Sequence, residues 1–375
     1  MEVDNGIFDV NQKIHTALQL QLITPTFFMK TLSIIVPSYN MEAYLPKCLG
    51  SLVIDAEHME KLEVLVVNDG SKDRTSEIAH EFEAKWPGAF KVIDKPNGNY
   101  GSCINAALPF ATGTWVKVLD ADDWFKTENL PEFLDFLARA DADVDLVFSA
   151  YTRYRPTGEV VHHSEWPFPT DGAFDFDVFA DFSGNDLTMH AYTYRTDHVR
   201  GLGYRQTEGV SYSDTEWTCI PLAGVKRIAY YPKDVYQYLV GRPGQTMEED
   251  RFAASFGMMA AVVLHMVKAA KVFSLKKDGL SYGFARRRIV ESIENVYRVG
   301  CFGVNGRKAN IDVVDFDRRL KALSPEDYAA VGAAIYSPRF RYRFVEGFRR
   351  GSLKDWFLLF LGRSYPRIKR LLSRI

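Results

Sequence analysis

The first part of the chain alternates short, wholly apolar runs with amphipathic stretches. Short apolar runs bounded by turn residues predict strands buried on both faces of a sheet, and the stretches between them predict helices. Five runs fit this pattern: residues 32–36, 62–67, 90–93, 115–119 and 144–149. Strands that alternate with helices predict right-handed βαβ units and a parallel sheet. The fold class is therefore α/β.

The pattern changes twice after this region. Aromatic and polar residues dominate residues 151–238, which predicts mixed sheet and loops that complete a site. Helical periodicity covers residues 252–273, 284–299 and 325–336, and Ser324 is placed to cap the last of these helices. The chain is thus expected to carry a helical region behind an α/β domain.

Three polar clusters follow apolar strands, at Pro37–Asn40, Asn68–Ser71 and Asp120–Asp123. In open α/β sheets the ligand binds beyond the carboxyl ends of the strands. Because all three clusters lie at such ends, they are expected to converge on one edge of the sheet. This convergence indicates a binding site more strongly than any single cluster does.

The segment Asp120–Asp123 places three carboxylates within four residues. Such carboxylates repel one another unless a cation neutralises them, and hard oxygen ligands suit Mg²⁺ or Mn²⁺. A substrate diphosphate would complete the coordination. The alternative is an acidic turn that caps the next helix, but the strand context and the other two clusters favour a metal site.

Asp69 ends the second apolar run, where a carboxylate accepts hydrogen bonds from a base edge or a ribose, or simply forms an Asx turn. No GxGxxG follows a strand, and no GxxxxGK[ST] is present. The dinucleotide fingerprint and the P-loop are therefore absent from the sequence.

Composition and charge narrow the class of protein. The chain has 375 residues, of which 47% are hydrophobic and 25% charged, with a net charge of -2. From Ser337 onward there are eleven lysine and arginine residues and two acidic ones. An acidic body with a basic tail argues against a nucleic-acid binder and fits a body that sits on an anionic membrane surface.

The four cysteines lie far apart, which predicts reduced thiols rather than disulfides or zinc. Without a signal peptide or an apolar run long enough to span a bilayer, the protein is expected in the cytoplasm.

Several motifs resemble family 2 glycosyltransferases of the GT-A fold. The resemblance rests on residues 33–40 (SIIVPSYN), 66–75 (VVNDGSKDRT), 97–105 and 119–123 (LDADD). Their order and spacing match across about the first third of the chain. Residues 213–217 (SDTEW) resemble the Glu-Asp acceptor-site motif of the family. Residues 240–246 (VGRPGQT) resemble the loop that follows this motif in bacterial enzymes of capsule and exopolysaccharide assembly.

The resemblance implies a role for each matching residue. Pro37, Tyr39 and Asn40 would line the nucleotide pocket, with Tyr39 stacked on the base, and Asn97 lies in the third motif of that pocket. Asp69 would bind the base or ribose. Asp120 would contact the ribose or a metal-bound water, and Asp122 would be the direct metal ligand. Asp214 would be the general base, and Arg242 and Gln245 would close over the diphosphate.

Three positions depart from the family pattern. The usual glycine and arginine of the segment 97–105 stand as Asn99 and Ile104, and the first residue of the Glu-Asp motif is Ser213. His190 is either a contact for acceptor or diphosphate or a core histidine. Trp124 and Trp217 either stack on sugars or pack in the core.

The function implied by the resemblance is an inverting, metal-dependent transfer of a sugar from a nucleotide sugar to a glycan or lipid-linked acceptor in cell-surface polysaccharide synthesis. A sugar nucleotidyltransferase and a catalytically degenerate sugar-nucleotide-binding scaffold are the alternatives. The predicted organisation is an N-terminal arm (1–28), a GT-A catalytic domain (29–247), a helical region (248–336) and a basic amphipathic tail (337–375). Within the catalytic domain, residues 29–125 are the nucleotide-sugar half and residues 126–247 the acceptor half.

Overall fold

A single mixed sheet organises the α/β part of the protein. The computed structural model describes residues 30–181, 188–242, 245, 249–273, 279–304, 307–335, 342–352 and 354–355. Within these ranges the strands are β1 Leu32–Ser38, β2 Leu62–Asn68, β3 Phe90–Asp94, β4 Trp115–Val118, β5 Trp124–Phe125, β6 Leu146–Tyr154, β7 Val160–Ser164, β8 Ala173–Asp175, β9 Tyr192–Arg195 and β10 Arg227–Leu239. Their order is β3-β2-β1-β4-β9-β6-β10-β5, with β7 paired to β6 and β8 to β10.

The first four strands of this order are parallel, as the apolar runs predict. β1 pairs with β2 and β4, and β2 pairs with β3. All residues of β1 and β4 are buried, which is why their sequences do not alternate between apolar and polar. The strand β9 then lies antiparallel between β4 and β6. The predicted GT-A-type mixed sheet is therefore confirmed, and β9 marks the point where the parallel run ends.

Helices cover the sheet and form the region that follows it. Between the strands lie α1 Leu45–Gly50, α2 Ala56–Lys61, α3 Thr75–Lys85, α4 Asn99–Ala107, α5 Leu130–Arg139, α6 Phe176–Ala180, α7 Thr196–Gly201 and α8 Asp214–Trp217. After the sheet come α9 Glu249–Phe273, α10 Leu280–Phe302, α11 Val313–Leu323, α12 Pro325–Val331 and α13 Phe344–Arg350. The sequence interpretation missed α11, although Asp312 caps it and its apolar positions have helical spacing.

The helix α9 is unusually apolar. Residues Asp250–Val272 are long enough and apolar enough to cross a membrane, with a hydropathy of 1.6, and 44% of the apolar window is buried in the protein. Core helices of soluble proteins have the same length and composition. α9 packs against α10 and α11, and its Phe256, Val262, Val263 and Met266 are fully buried.

The described start of the predicted tail is part of the packed structure. Phe344 and Val345 of α13 are fully buried, and the ring of Phe344 lies 5.4 Å from that of Phe302 in α10. Arg349 bonds Asp317 at 2.9 Å. The boundaries of the predicted regions stay predictions; the arm (1–28) and residues 356–375 lie outside the described residues. The four cysteines are all buried and none is bridged to another.

Candidate active site

The carboxyl ends of the parallel strands meet the loop that follows β10 around one cavity. It has a volume of about 210 Å³. Six residues predicted from the sequence line it: Pro37, Asp120, Asp122, Asp214, Arg242 and Gln245. The other lining residues are Met41, Asn99, Tyr100, Ala121, Ser211, Tyr212 and Tyr238. The structure thus brings the acidic segment after β4 and the start of α8 to the same cavity.

The three aspartates after β4 have different surroundings. Asp120 accepts a hydrogen bond from the hydroxyl of Tyr100 at 2.8 Å, and Asp122 is paired with Nε of Arg242. Asp123 is buried below the cavity, where it accepts hydrogen bonds from the hydroxyl of Tyr236 at 2.6 Å and the backbone N–H of Leu239 at 2.7 Å. Asp120 and Asp122 therefore face the cavity, while Asp123 attaches the acidic segment to β10.

Negative charge is crowded at this edge of the sheet. Burial and the neighbouring Asp122 raise the pKa of Asp120 to about 8, and burial raises the pKa of Asp123 as well. Arg242 is the one cationic side chain among the lining residues described. A divalent cation relieves this kind of repulsion, and carboxylate oxygens are the ligands that Mg²⁺ and Mn²⁺ prefer.

One group of potential metal ligands among the described residues consists of Asp120, Asp123 and His190. Their ligand atoms lie within 4.8 Å of one another. Asp122, the ligand predicted from the sequence, is not in this group and pairs with Arg242 instead. The assignment of Asp122 as the direct ligand stays a prediction.

His190 is a buried histidine at the edge of this acidic cluster. Its ring is stacked on Tyr238 with the centroids 4.0 Å apart, and its Nδ1 lies 2.8 Å from Oγ1 of Thr188. Burial lowers its pKa well below the usual value, so the imidazole is neutral at physiological pH. His190 is thus a packed core residue that lies beside Asp120 and Asp123, and its contact with an acceptor or a diphosphate stays a prediction.

Asp214 is the first residue of α8, and burial raises its pKa. Glu216, two residues later, is fully buried and does not line the cavity. It accepts hydrogen bonds from the backbone N–H and the hydroxyl of Thr207, at 2.7 and 2.6 Å. Of the two carboxylates in α8, Asp214 alone is placed to take a proton from a group in the cavity.

Four of the predicted nucleotide-binding residues do not line the cavity. Tyr39 is 41% exposed beside it. Asn40 ties the loops after β1 and β2 together, since its N–H donates to Ser71 Oγ at 3.1 Å and its Oδ1 accepts from the N–H of Lys72 at 2.8 Å. Their contacts with a nucleotide stay predictions.

Asp69 and Asn97, the other two predicted nucleotide-binding residues outside the cavity, anchor the loop that precedes α4. Asp69 is buried, and its carboxylate is paired with Lys95 and accepts the N–H of Gly98 at 2.9 Å. Asn97 donates its side-chain N–H to the backbone carbonyl of Asp69 at 3.0 Å. In this structure both residues shape the loop, and direct binding of base or ribose by Asp69 stays a prediction.

The departure at Asn99 has a conformational explanation. Asn99 has a φ of 64°, in the left-handed region that glycine adopts freely and that asparagine tolerates better than most residues. The chain therefore keeps the backbone shape that a glycine would give here. The amide side chain is added to the wall of the cavity.

Sequence reasoning missed three tyrosines that line the cavity, Tyr100, Tyr212 and Tyr238. The sequence holds a clue to two of them, since Tyr100 adjoins the Asn-Gly loop and Tyr238 lies near the end of a strand, which are places where ligands bind.

Of the two tryptophans, Trp217 is a core residue at 1% exposure. Trp124 lines a second cavity, where it packs on Tyr154 at 5.4 Å between ring centroids and lies beneath the ammonium of Lys47.

Residues 33–217 match the sequence profile of glycosyl transferase family 2. These residues form a family 2 glycosyl transferase domain. The match contains the acidic segment after β4 and ends within α8, so it includes both carboxylate elements of the cavity. The predicted family is thereby confirmed for residues 33–217, which form a glycosyltransferase domain.

Relatives of the family 2 domain carry the same class of name. The uncharacterized glycosyltransferase MG060 homolog of Mycoplasma pneumoniae is 40% identical over 124 residues, 32% of this chain and 41% of the relative. The putative glycosyltransferase EpsH of Bacillus subtilis is 34% identical over 131 residues, 34% of this chain and 36% of the relative. The chondroitin synthase of Pasteurella multocida is 31% identical over 140 residues, 36% of this chain and 14% of the relative. The chain thus spans well under half of the length of these curated relatives.

The fold of the whole described chain resembles that of a solved protein. The structure of S. aureus TarS 1–349 in complex with UDP-GlcNAc aligns with a TM-score of 0.60 and 19% identity, covering 90% of this chain and 92% of that one. At this identity the likeness concerns the fold. It covers the region beyond the family 2 domain, so the helices after the sheet belong to the shared architecture.

Proposed function

We propose that this protein transfers a sugar from a nucleoside-diphosphate sugar to a hydroxyl group of a glycan or lipid-linked acceptor, with inversion at the anomeric carbon. The observation that carries the proposal is the convergence of Asp120, Asp122 and Asp214 on one cavity beside Arg242. A proton acceptor, carboxylates suited to a divalent cation and a guanidinium that binds phosphate oxygens are what the displacement of a nucleoside diphosphate needs.

Asp214 is the proton acceptor in this proposal. It takes the proton of the acceptor hydroxyl as the oxygen attacks the anomeric carbon. The raised pKa makes its carboxylate a stronger base than an exposed aspartate. Glu216 does not compete for this role, because it is buried outside the cavity with its oxygens bonded to Thr207.

Arg242 and the acidic segment serve the leaving group. The guanidinium of Arg242 lies at the cavity wall, paired with Asp122, and in this proposal it binds a diphosphate oxygen of the donor. The carboxylates of Asp120 and Asp122 fit the coordination of Mg²⁺ or Mn²⁺, and burial together with the neighbouring Asp122 raises the pKa of Asp120. When bound, such a cation neutralises the charge of the departing nucleoside diphosphate.

The names of the relatives and of the fold neighbour guide the choice of substrates. TarS 1–349 holds UDP-GlcNAc, and chondroitin synthase is named for a polysaccharide product. UDP-sugars are therefore the first donors to test, and glycans of cell-surface polysaccharides are the first acceptors. The proposed site of action is the cytoplasmic face of the membrane, where the basic residues after Asp355 meet anionic lipid.

The proposal is tested by incubating the full chain with a panel of nucleotide sugars, with Mn²⁺, Mg²⁺ or EDTA. We expect release of the nucleoside diphosphate with one donor, stimulation by an acceptor glycan, and loss of activity with EDTA. Release of pyrophosphate from a nucleoside triphosphate and a sugar phosphate would instead show a nucleotidyltransferase. Donor binding without turnover under any condition would show a binding protein.

A further inference from the structure

The helix α9 contacts the segment around Asp214 on both sides of this residue. On the C-terminal side, Nδ1 of His265 in α9 lies 2.6 Å from Oε1 of Glu216. The other partner of Glu216 is Thr207, whose backbone N–H and hydroxyl bond its two oxygens. Glu216 therefore joins α8 to α9 and to the loop that contains Thr207.

On the N-terminal side the contact is made by Tyr212. Its ring meets Phe252 of α9 edge to face, at 5.4 Å between centroids and 87° between planes, and its side chain is hydrogen-bonded to Ser255 of the same helix. Tyr212 has a φ of 69°, a left-handed conformation that is rare for a large side chain and persists when the surroundings hold it. The two contacts on α9 supply this restraint.

We propose that Tyr212 and Glu216 are positioning residues that fix Asp214 against the cavity, with α9 as the rigid support. The inference rests on the proposed function of Asp214 as the base. Asp214 lies midway between the two anchored residues, so the backbone that carries it is held from both directions. A displacement of about 1 Å at a reacting group costs about 10²-fold in rate, which makes such anchoring matter for transfer.

Glu216→Gln is the first test, because it keeps the size of the side chain and removes the negative charge that lies next to the ring of His265. Glu83→Gln is a matched control: Glu83 also bonds a histidine, His80, at 2.8 Å and accepts a backbone N–H, that of Val92, at 2.9 Å. We expect Glu216→Gln to lower kcat about 10-fold or more. The donor Kd should stay within 2-fold, and the control should keep wild-type kcat.

His265 provides the rescue experiment. Glutamine at 265 keeps an N–H donor for Glu216, whereas leucine keeps bulk without a donor. We expect His265→Gln to retain most of kcat and His265→Leu to lose it, with the donor Kd unchanged in both. Equal losses in the two variants would assign His265 a packing role and overturn this part of the inference.

Tyr212 is tested with glycine and phenylalanine. Glycine adopts the left-handed φ without strain but loses both contacts with α9, while phenylalanine keeps the edge-to-face contact. We expect Tyr212→Gly to lower kcat at saturating acceptor at least 10-fold while the chain stays folded, and Tyr212→Phe to lower it less than 3-fold. Wild-type kcat in both Tyr212→Gly and Glu216→Gln would overturn the inference.

The outcome for the wild type separates the two proposals. A wild type that transfers no sugar overturns the proposed function and the positioning roles with it. An active wild type with equally active variants overturns the positioning roles alone. If Glu216→Gln does not fold, the comparison of His265→Gln with His265→Leu gives the decision, because neither removes the buried carboxylate.

Discussion

At the residue scale, the site is defined by which charges face the cavity and which do not. Asp120 and Asp122 line it with Arg242, whereas Asp123 is bonded to Tyr236 and Leu239 below. Neighbouring carboxylates of one segment therefore have different surroundings. Substitution of Asp122 tests the proposed binding of the cation. Substitution of Asp214 tests the proposed transfer of the proton.

Asp122→Ala should abolish turnover. The variant loses a carboxylate that holds Arg242 and that is expected to bind the cation, and removal of one such electrostatic group typically costs about 10²- to 10³-fold in rate. The measurement is kcat with saturating donor and metal. Asp171→Ala, at an exposed position outside the cavity, is the control. Near wild-type activity of Asp122→Ala, or an EDTA-insensitive wild type, would contradict the metal assignment.

Asp214→Asn should keep donor binding and lose transfer by about 10²- to 10⁴-fold, because the amide keeps the shape but accepts no proton. The same base predicts a pH dependence of the wild type. Since burial raises the pKa of Asp214, the protonated, inactive form persists to a higher pH than for an exposed aspartate, and kcat should fall on the acid side below this raised pKa. A weakened donor Kd with normal transfer at saturation would give Asp214 a binding role instead.

At the element scale, α4 and the loop before α8 depend on a close approach at Gly101. A Cβ at this position would clash with the backbone carbonyl of Thr207. Asn105 of α4 further bonds Gln206 through two hydrogen bonds of 2.8 Å. The loop that bonds Glu216 is thus seated directly on the helix that carries Tyr100.

Gly101→Ala should therefore destabilise the protein by about 1–3 kcal/mol and lower transfer, since the Thr207 loop must move to admit the methyl group. Gly50→Ala in α1 is the matched control, because a Cβ there meets nothing within 4 Å. Alanine is favoured over glycine in a helix by about 0.5–1 kcal/mol, so the control should be neutral or stabilised. Denaturant unfolding measures both, and equal stabilities of the two variants would contradict the close approach.

The elements themselves differ in how far the sequence predicts them. Apolar runs such as that of β1 give buried parallel strands, and their polar ends give the cavity residues Asp120 and Asp122. The strand β9 was not predicted, because its four residues owe their conformation to pairing with β4 and β6. Tyr238 could not be predicted from the sequence either, because a tyrosine at the end of a strand can equally pack in a core or line a cavity.

At the scale of the whole molecule, the packed part of the chain extends beyond the predicted start of the basic tail. Tyr342, Arg350 and Ser352 all bond the carboxylate of Asp355, and α13 is packed on α10. A chain that ends at Ser337 would remove this structure along with the basic residues. The membrane prediction therefore needs a later truncation.

A chain that ends at Asp355 should keep its fold and its hydrolysis of a soluble donor, and lose most of its binding to anionic vesicles. It lacks Trp356, Phe357 and five of the basic residues. Each lysine or arginine near an anionic surface contributes about 1 kcal/mol to binding, and the apolar side chains add to this. Co-sedimentation with vesicles of anionic and of neutral lipid, at low and high salt, measures the difference. Equal, salt-insensitive binding of the full and shortened chains would contradict a membrane role for this segment.

The insertion of β9 between β4 and β6 has a consequence for how the protein is made. β4 is complete at residue 118, but the strand that covers its edge begins at residue 192. At a synthesis rate of about 5–20 residues per second, this interval lasts roughly 4–15 s. Throughout it, the nascent chain presents an apolar strand with unpaired backbone groups, which is a template for pairing with another chain. Production of the enzyme in a host cell should therefore depend on chaperone supply and on how densely ribosomes follow one another along the message.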